Sequence, residues 1–372
     1  MAEARDIGGI SVPFAAGVAA GAAVFPGILR ISPFLPSLLA LSIFVFTVIA
    51  FRSFDGSTPL PAIRLTFAGL FLAAGLFCAA NTRLASGIPD SGGPLSDLAS
   101  GSVRALRGCI DAIPYPDSGT GGLVKALVTG DRSGLDRHVL DTFRSSGASH
   151  ILALSGLHLG IIYLILIRIC APLGNSPAAR RAKFILILTL SGFYCLMTGA
   201  PPSIVRAFLF ITINETAKLS GRKKEPARVL LAALTVQLAL QPEVVTSVGF
   251  QLSYLAMTGI TLLYPRLEKL YPEPAGKGWK SIDPFRRIWK LAVMSLSCQV
   301  FTAPLAWYRF RSFPEYFLLT NLIALPLTSA IVVLSVTTIA LSAMGCCPLF
   351  LVILDDHAVK LLVSCLEIIS SM

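Results

Sequence analysis

The feature that most constrains this chain is a series of long segments without a single charged residue. They occupy 7–29, 31–51, 65–82, 184–205 and 244–265. A helix that crosses a lipid bilayer needs about 20 mostly apolar residues, and these segments repeatedly reach that length. Only 14% of the chain is charged, against about 25% in soluble domains, and the 54% hydrophobic content excludes a disordered chain. The sequence therefore predicts an all-α fold, a polytopic transmembrane helical bundle.

The hydrophobic segments predict about ten spans, judged against the length of a membrane-crossing helix. These spans cover 10–29, 34–51, 62–80, 150–170, 184–199, 203–218, 227–241, 247–264, 289–308 and 316–343. A last apolar stretch, 348–371, is interrupted by Asp355, Asp356, His357 and Lys360 and stays ambiguous. The Asp-Asp-His run is more typical of an interrupted helix face than of a metal site.

A polar stretch rich in Gly, Ser, Asp and Pro separates the third predicted span from the fourth. Within it, 96–113 and 121–146 contain no long apolar run, which predicts short interfacial helices lying at the membrane surface. Ser133 and Asp136 have the spacing of a capping box that would open one of them. The chain thus divides into N-terminal transmembrane helices (1–80), an extracytoplasmic segment (81–148), a transmembrane core (149–345) and a hydrophobic tail (346–372).

The basic excess of the chain, 31 Lys and Arg against 20 acids, has a topological explanation. Loops 168–183, 218–228 and 265–290 are strongly basic, whereas the loops between them carry almost no charge. Because basic loops stay in the cytoplasm, we expect the N-terminus inside and the segment 81–149 outside. Arg309 and Arg311, on a loop predicted to lie outside, are the one disagreement.

Polar side chains recur at helical spacing on several predicted spans. The stripes are Ser191, Tyr194, Cys195 and Thr198; Gln251, Tyr254, Thr258 and Thr261; Ser295, Cys298, Gln299 and Thr302; and Asn321, Thr328 and Ser335. Residues three, four or seven apart share one helix face. Such stripes commonly form hydrogen bonds between helices, and on several helices they could also line an internal polar pathway. No Cys or His cluster predicts a metal or a cofactor.

Ionisable residues inside spans are costly and usually face a cavity or a partner. Arg206 follows the GAPP break at 199–202, and His150 and His158 flank LALSGL. A broken helix exposes helix termini, and the N-terminus of a helix near Ser203 would attract an anion such as phosphate. Alternatively, Arg206 extends to the membrane interface and GAPP is an ordinary turn.

Ordered motifs across the second half of the chain resemble those of the ComEC competence-protein family. They are the run 126–158, which contains GDR and SGLH, then TGAPPSIVRA (198–207), GFQLSYLAMTGI (249–260), TAPLAW (302–307) and NLIALPLTS (321–329). The resemblance implies a channel in the bacterial inner membrane that carries single-stranded DNA into the cytoplasm during natural transformation. It also implies contact with membrane lipid, a DNA receptor, a separate nuclease and a cytoplasmic DNA translocase.

The resemblance selects candidate channel residues without catalytic, metal or cofactor roles. They are Asp131, Arg132, His150, Ser155, Gly156, His158, Pro202, Ser203, Arg206, Gln251, Ser253, Gln299 and Asn321. Relatives usually add an OB-type domain and a metallo-β-lactamase-like domain. Residues 81–125 are too few for an OB barrel and no HxHxDH-type cluster occurs, so we expect neither.

Two other functions stay open on sequence grounds. Ser155 and His158, three residues apart on one helix, could serve an intramembrane serine hydrolase, although no acid is well placed as a third member. A small-molecule or lipid transporter is the other alternative, but we find no internal repeat of the kind such folds often have.

Overall fold

The structure, a computed structural model, describes residues 11–23, 68–76, 78–79, 94–221, 225–272, 283–311 and 315–372. All regular secondary structure in these ranges is helical. The helices are α1 (Ser11–Ala23), α2 (68–76), α3 (Pro94–Asp111), α4 (Ser118–Thr129), α5 (Arg137–Ser145), α6 (Ser149–Leu152), α7 (Gly156–Cys170), α8 (Pro177–Met197), α9 (Pro202–Leu219), α10 (Pro226–Leu240), α11 (Val248–Leu262), α12 (Tyr264–Glu268), α13 (Pro284–Phe310), α14 (Phe317–Ala343) and α15 (Leu349–Ser370).

Local sequence signals set many of these helix ends. Helices α8, α9, α10 and α13 all begin at a proline, which tolerates the first turn because its missing N–H has no intrahelical acceptor there. Ser176 caps α8 by accepting a hydrogen bond from Ala179 N, and Asp283 caps α13 by accepting one from Arg286 N. The predicted spans from 184 onward agree with observed helices to within a few residues at most ends.

Three described helical segments are long and apolar enough to cross a membrane: Gly156–Leu173, Pro284–Phe310 and Phe317–Ala343. Helices α1 and α10 are apolar but shorter. Large apolar side chains also face outward on α7, α8 and α13, as Leu164, Ile185 and Val300 do, and such surfaces suit lipid contact. A helical membrane protein fits these findings, whereas the count of about ten spans stays a prediction. The predicted span 34–51 lies outside the described residues.

The chain forms two compact units, which are described separately. The first comprises residues 1–91 and 212–254, and the second comprises 92–211 and 255–372. In the first unit, α1 and α2 pack closely through glycine, because a Cβ built on Gly17 would overlap the Leu72 carbonyl oxygen. Tyr254 Oη donates a hydrogen bond to Gln237 Oε1 at 2.9 Å.

The second unit has α4 at its centre, which differs from the prediction for this segment. The stretch 121–146, predicted to contain short helices at the membrane surface, holds most of α4 and all of α5. Val124, Ala126 and Leu127 of α4 are each at most 1% exposed, and α4 packs against α14 and α15. Its apolar face is therefore buried against other helices, and α4 is no free surface helix.

The last helix, α15, is continuous through the acidic residues that seemed to interrupt it in the sequence. Asp355 and Asp356 are 0% and 1% exposed. Asp355 accepts hydrogen bonds from Tyr115 Oη at 2.9 Å and Ser335 Oγ at 3.0 Å, and Asp356 accepts one from Thr120 Oγ1 at 2.5 Å. These polar groups join α15 to α14 and to the start of α4, which the sequence did not reveal.

Candidate functional site

Several of the motif segments meet at one short turn, residues 153–155, between α6 and α7. Arg132 Nε donates a hydrogen bond to the Leu152 carbonyl at 3.1 Å, and Ser203 Oγ donates one to the Leu154 carbonyl at 2.7 Å. Gly130, with a φ of 78°, lies so close to this turn that an added Cβ would be 2.5 Å from Leu154 Cδ1. Residues far apart in sequence thus fix the backbone that leads into α7.

Ser155 and His158 form a capping box at the start of α7. Leu157 N donates to Ser155 Oγ at 3.3 Å, and Ser155 N donates to His158 Nδ1 at 3.2 Å. These bonds satisfy N–H groups that lack intrahelical acceptors. Because Nδ1 accepts a hydrogen bond, the neutral imidazole carries its proton on Nε2. The capping box predicted at Ser133 and Asp136 is wrong, since Asp136 makes no side-chain cap at the start of α5.

Arg206 lies beside the N-terminus of α7. A Cβ built on Gly156 would be 3.5 Å from Arg206 Nη2 and 3.4 Å from Ala207 Cβ. The Arg206 side chain is 9% exposed, so it is buried and does not extend to the surface. We expected Arg206 to serve the start of its own helix, α9, whereas its guanidinium faces α7. Both the guanidinium and the first N–H groups of a helix favour an anion nearby.

Gly199 and Ala200 provide the sharp break between α8 and α9. Both have positive φ, 77° and 49°, and Ala200 N donates to the Cys195 carbonyl at 2.9 Å. This left-handed ending stops α8 and lets Pro202 start α9. The break therefore sets the position from which Ser203 reaches Leu154.

Asp131 is held at the edge of the same region. Its carboxylate accepts a hydrogen bond from Ser133 N at 3.0 Å and pairs with Arg107 Nη1 at 3.2 Å. The hydrogen bonding from Ser133 and the charge of Arg107 hold the pKa of Asp131 below its ordinary value. Asp131 is therefore ionised at neutral pH and fixes the loop after α4.

Some buried polar atoms have no hydrogen-bond partner among the described residues. They include His158 Nε2, Ser191 Oγ, Asn321 Oδ1 and Thr328 Oγ1. His158 is 1% exposed and Thr328 is 0% exposed. Buried polar groups normally have a partner, which can be an ordered water or a ligand. Helix α7, which bears His158, packs against α14, which bears Asn321 and Thr328.

The remaining predicted residues do not all join this site. His150 is exposed, and its Nδ1 lies 3.2 Å from the Gly147 carbonyl. Gln251 and Ser253 belong to the first compact unit, where Gln251 Nε2 donates to the Val245 carbonyl at 2.8 Å. Gln299 is half-buried on α13.

Several side chains of the polar stripes form hydrogen bonds that join one helix to another. Tyr194 Oη donates to the Val128 carbonyl at 2.8 Å, and Ser335 binds Asp355. On α14, Thr328 and Ser335 are both 0% exposed, whereas Asn321 of the same stripe is half-buried. Thr320, also 0% exposed, donates to the Ser146 carbonyl at 2.7 Å, and its spacing from Thr328 could have added it to the stripe.

The described residues hold no group of three or more His, Cys, Asp and Glu side chains that could bind a metal ion. The turn at 153–155 and the start of α7, called here the α7 turn, instead offer hydrogen-bond donors and two guanidiniums, those of Arg132 and Arg206. This set can bind an anion and orient it.

Comparison with known proteins identifies the family. The chain is 28% identical over 211 residues to ComE operon protein 3 of Bacillus subtilis (strain 168), covering 57% of this chain and 25% of that protein. It is 28% identical over 213 residues to Competence protein ComA of Neisseria gonorrhoeae, covering 55% and 28%. It is also 23% identical over 224 residues to the uncharacterized protein YcaI of Escherichia coli (strain K12), covering 59% and 28%.

These relatives are much longer proteins, since the matched part spans only 25% to 28% of their length. No solved structure matches this chain. The family described as Competence protein matches residues 127–372, a range that includes α5 to α15 and the whole turn at 153–155. The chain therefore belongs to the Competence protein family.

Proposed function

We propose that this chain forms the part of an inner-membrane channel that carries single-stranded DNA into the cytoplasm during natural transformation. Its family and the names of two relatives indicate competence, the state in which cells take up DNA. The observation that carries the proposal is the buried Arg206 guanidinium beside the N-terminus of α7.

The chemistry of the α7 turn suits a nucleic-acid backbone. The positive end of a helix dipole and a guanidinium both favour phosphate without regard to base sequence, and a channel for any DNA must be insensitive to sequence. The Nε2 proton of His158 adds a further buried donor on the same helix. The α7 turn would thus bind a backbone phosphate transiently as the strand passes.

Substitution of Arg206 tests this proposal. We expect Arg206→Ala to lower transformation frequency by about tenfold or more, the loss typical of removing one partner from a buried charge pair. Arg206→Lys keeps the charge but loses the planar fork, and we expect an intermediate frequency. Transformation should be scored together with DNA adsorbed to the cell surface and with membrane levels of the protein.

Arg181→Ala is the matched control, because Arg181 is an exposed arginine near the start of α8. Normal transformation by Arg206→Ala at normal expression would remove Arg206 from the mechanism. Normal transformation after deletion of the whole gene would disprove the function.

We also propose that Ser155 and His158 act as a helix cap and not as a nucleophile and its base. Their side chains lie 3.2 Å apart, Ser155 Oγ to His158 Nδ1, a distance that a hydrolase could use. Both side chains, however, already bind the backbone at the start of α7. In this proposal the chain is not an enzyme, and a separate nuclease, a DNA receptor and a cytoplasmic translocase supply the other steps of uptake.

Asparagine at position 155 separates these two roles. Asparagine caps helices as well as serine does, yet it has no hydroxyl to attack a substrate. We expect Ser155→Asn to transform close to the wild-type frequency, while Ser155→Ala, which loses the cap, transforms less. If Ser155→Asn and Ser155→Ala both abolished transformation at normal protein levels, the hydroxyl itself would be required and the hydrolase hypothesis would be favoured.

A further inference from the structure

Helices α3 and α4 form a hairpin whose connecting loop, residues 112–117, lies beside α14 and α15 within the length of both helices. Tyr115 Oη of this loop donates to Asp355, which also accepts a hydrogen bond from Ser335 Oγ. Ser335 lies 18 residues after Phe317, the first residue of α14, or about 27 Å along the helix axis. Since α14 is long and apolar enough to cross a membrane, the loop lies at membrane depth.

The opposite end of this α3–α4 hairpin lies near the start of α14. Thr320, in the first turn of α14, donates to the carbonyl of Ser146, which directly follows α5. Arg107 of α3 pairs with Asp131, which follows α4, so α3 runs back beside α4. The chain therefore turns at 112–117 and returns to the side from which it came, the side predicted to lie outside. This is the geometry of a re-entrant hairpin.

One face of α3 is open and polar along the helix. Its exposed residues, spaced three or four apart, are Asp97, Ser100, Arg104, Gly108 and Asp111. No large apolar side chain belongs to this face, whereas such side chains face outward on α7, α8 and α13. A Cβ built on Gly108 meets no atom within 4 Å. Charged residues are costly against lipid and usually face a cavity or a partner, so water suits this face better than lipid does.

The connecting loop and the first residue of α4 are also open. Pro114, Pro116 and Ser118 are exposed, while Tyr115 anchors the loop through Asp355. Non-helical backbone at membrane depth is tolerated only where it is buried in protein or lines a water-filled cavity. Since the outer side of this loop is uncovered in the part of the chain that the structure describes, water is the neighbour that fits.

We propose that α3 and α4 form a re-entrant hairpin whose open face lines a water-filled section of the path that DNA takes across the membrane. The water-filled section follows from the hairpin geometry, whereas its use by DNA rests on the proposed function. The small residues Ser100, Gly108 and Ser118 leave width for a strand, and the charged residues of α3 keep the section hydrated.

Reaction of introduced cysteines with a charged, membrane-impermeant thiosulfonate tests whether this face contacts water. Ser118→Cys and Gly108→Cys are each placed in the full chain with its eight native cysteines replaced by alanine. Val300→Cys is the matched control, because Val300 is 51% exposed near the middle of α13, on a face that it shares with the exposed Leu296 and Trp307.

The reagent is added to right-side-out membrane vesicles. A thiol reacts as its thiolate, and apolar surroundings raise the thiol pKa, each unit of which lowers the thiolate fraction about tenfold. We therefore expect Ser118→Cys and Gly108→Cys to react at least about tenfold faster than Val300→Cys.

Equally slow reaction of the hairpin cysteines and the control would overturn the water-lined hairpin. Reaction from the cytoplasmic side alone, in inside-out vesicles, would also overturn it. Labelling after denaturation verifies that each thiol is present. If the cysteine-free chain does not fold, as judged by its thermal melt, the native cysteines are kept and the rates above that of the wild type are compared.

Transformation of the labelled cells separates the water-filled section from its use by DNA. Because like charges side by side are strongly unfavourable, we expect the sulfonate attached at Ser118→Cys or Gly108→Cys to lower transformation frequency by at least about tenfold, and the same label at Val300→Cys to leave it unchanged. Fast labelling without this loss would overturn the role in DNA passage. If deletion of the whole gene left transformation normal, the proposed function would fail, and the labelling rates would still decide the hairpin.

Discussion

Asp355 and Asp356 are buried side by side on α15, and each is held by its own donors. Tyr115 and Ser335 donate to Asp355, whereas Thr120 and Lys360 contact Asp356, Lys360 Nζ at 2.9 Å from Oδ2. A buried carboxylate that loses such partners lowers the free energy of unfolding by several kcal/mol (about 3–5 when one member of a buried pair is removed). Burial and the neighbouring Asp355 carboxylate raise the pKa of Tyr115 above its ordinary value, so its hydroxyl remains a donor at neutral pH.

We expect Tyr115→Phe to destabilise the protein, because Asp355 would then lose one of its two donors. The expected loss is about 1–3 kcal/mol, the usual effect of leaving a buried acceptor with too few donors. A lower melting temperature of the purified protein in detergent would register it. Tyr308→Phe is the control, since Tyr308 is 69% exposed; equal melting of the two variants would contradict the role given to Tyr115.

Single-residue roles were only partly predictable from the sequence. The spacing of Ser155 and His158 placed them together, but that spacing fits both a cap and a catalytic pair. The hydrogen bonds that Ser155 N and Leu157 N donate to these side chains favour the cap. The predicted capping box at Ser133 failed because Ser133 N instead binds Asp131 in a turn, and α5 begins only at Arg137.

At the scale of helices, long apolar segments predicted most elements after residue 148, and pairing between helices was not predictable. The helices that start at Pro202 and Pro226 begin one residue before the predicted spans, whereas those that start at Pro177 and Pro284 begin seven and five residues before them. Helix α4, in contrast, was not predicted to be buried, because its apolar run is short. Its burial depends on α14 and α15, more than 180 residues later in the chain.

Gly259 provides a test of helix pairing within the second unit. A Cβ built on Gly259 of α11 would overlap the Ser297 carbonyl oxygen of α13, so the two backbones must separate if it becomes alanine. Close backbone approach at small residues is a main source of helix association in membranes. We therefore expect Gly259→Ala to lower the melting temperature of the protein in detergent.

Gly108→Ala is the matched control for this substitution. An added Cβ on Gly108 of α3 meets nothing within 4 Å, and alanine is the better helix former by about 1 kcal/mol. We expect Gly108→Ala to leave the melting temperature unchanged or to raise it. A Gly259→Ala variant as stable as the wild type would show that α11 and α13 do not need this close approach.

At the scale of the whole molecule, the positive-inside pattern makes a topology prediction that one native cysteine can test. Cys346 is exposed and follows the end of α14, which the loop charges predict to lie in the cytoplasm. A membrane-impermeant maleimide should therefore label a variant whose single cysteine is Cys346 in permeabilised cells but not in intact cells.

A variant whose single cysteine is Ser133→Cys is the companion, because Ser133 is exposed on the segment predicted to lie outside. We expect it to be labelled in intact cells. The opposite pattern at the two positions would invert the predicted topology and place the basic loops outside.

The hydrogen bond between Tyr115 and Asp355 joins residues 240 positions apart, and that between Thr120 and Asp356 joins residues 236 apart. A membrane protein is inserted as it is synthesised, N-terminal parts first. Helix α4 therefore lacks part of its packing surface until α15 has been synthesised. Assembly of the second unit thus requires α15, and quality control could recognise chains that lack it by the apolar face of α4.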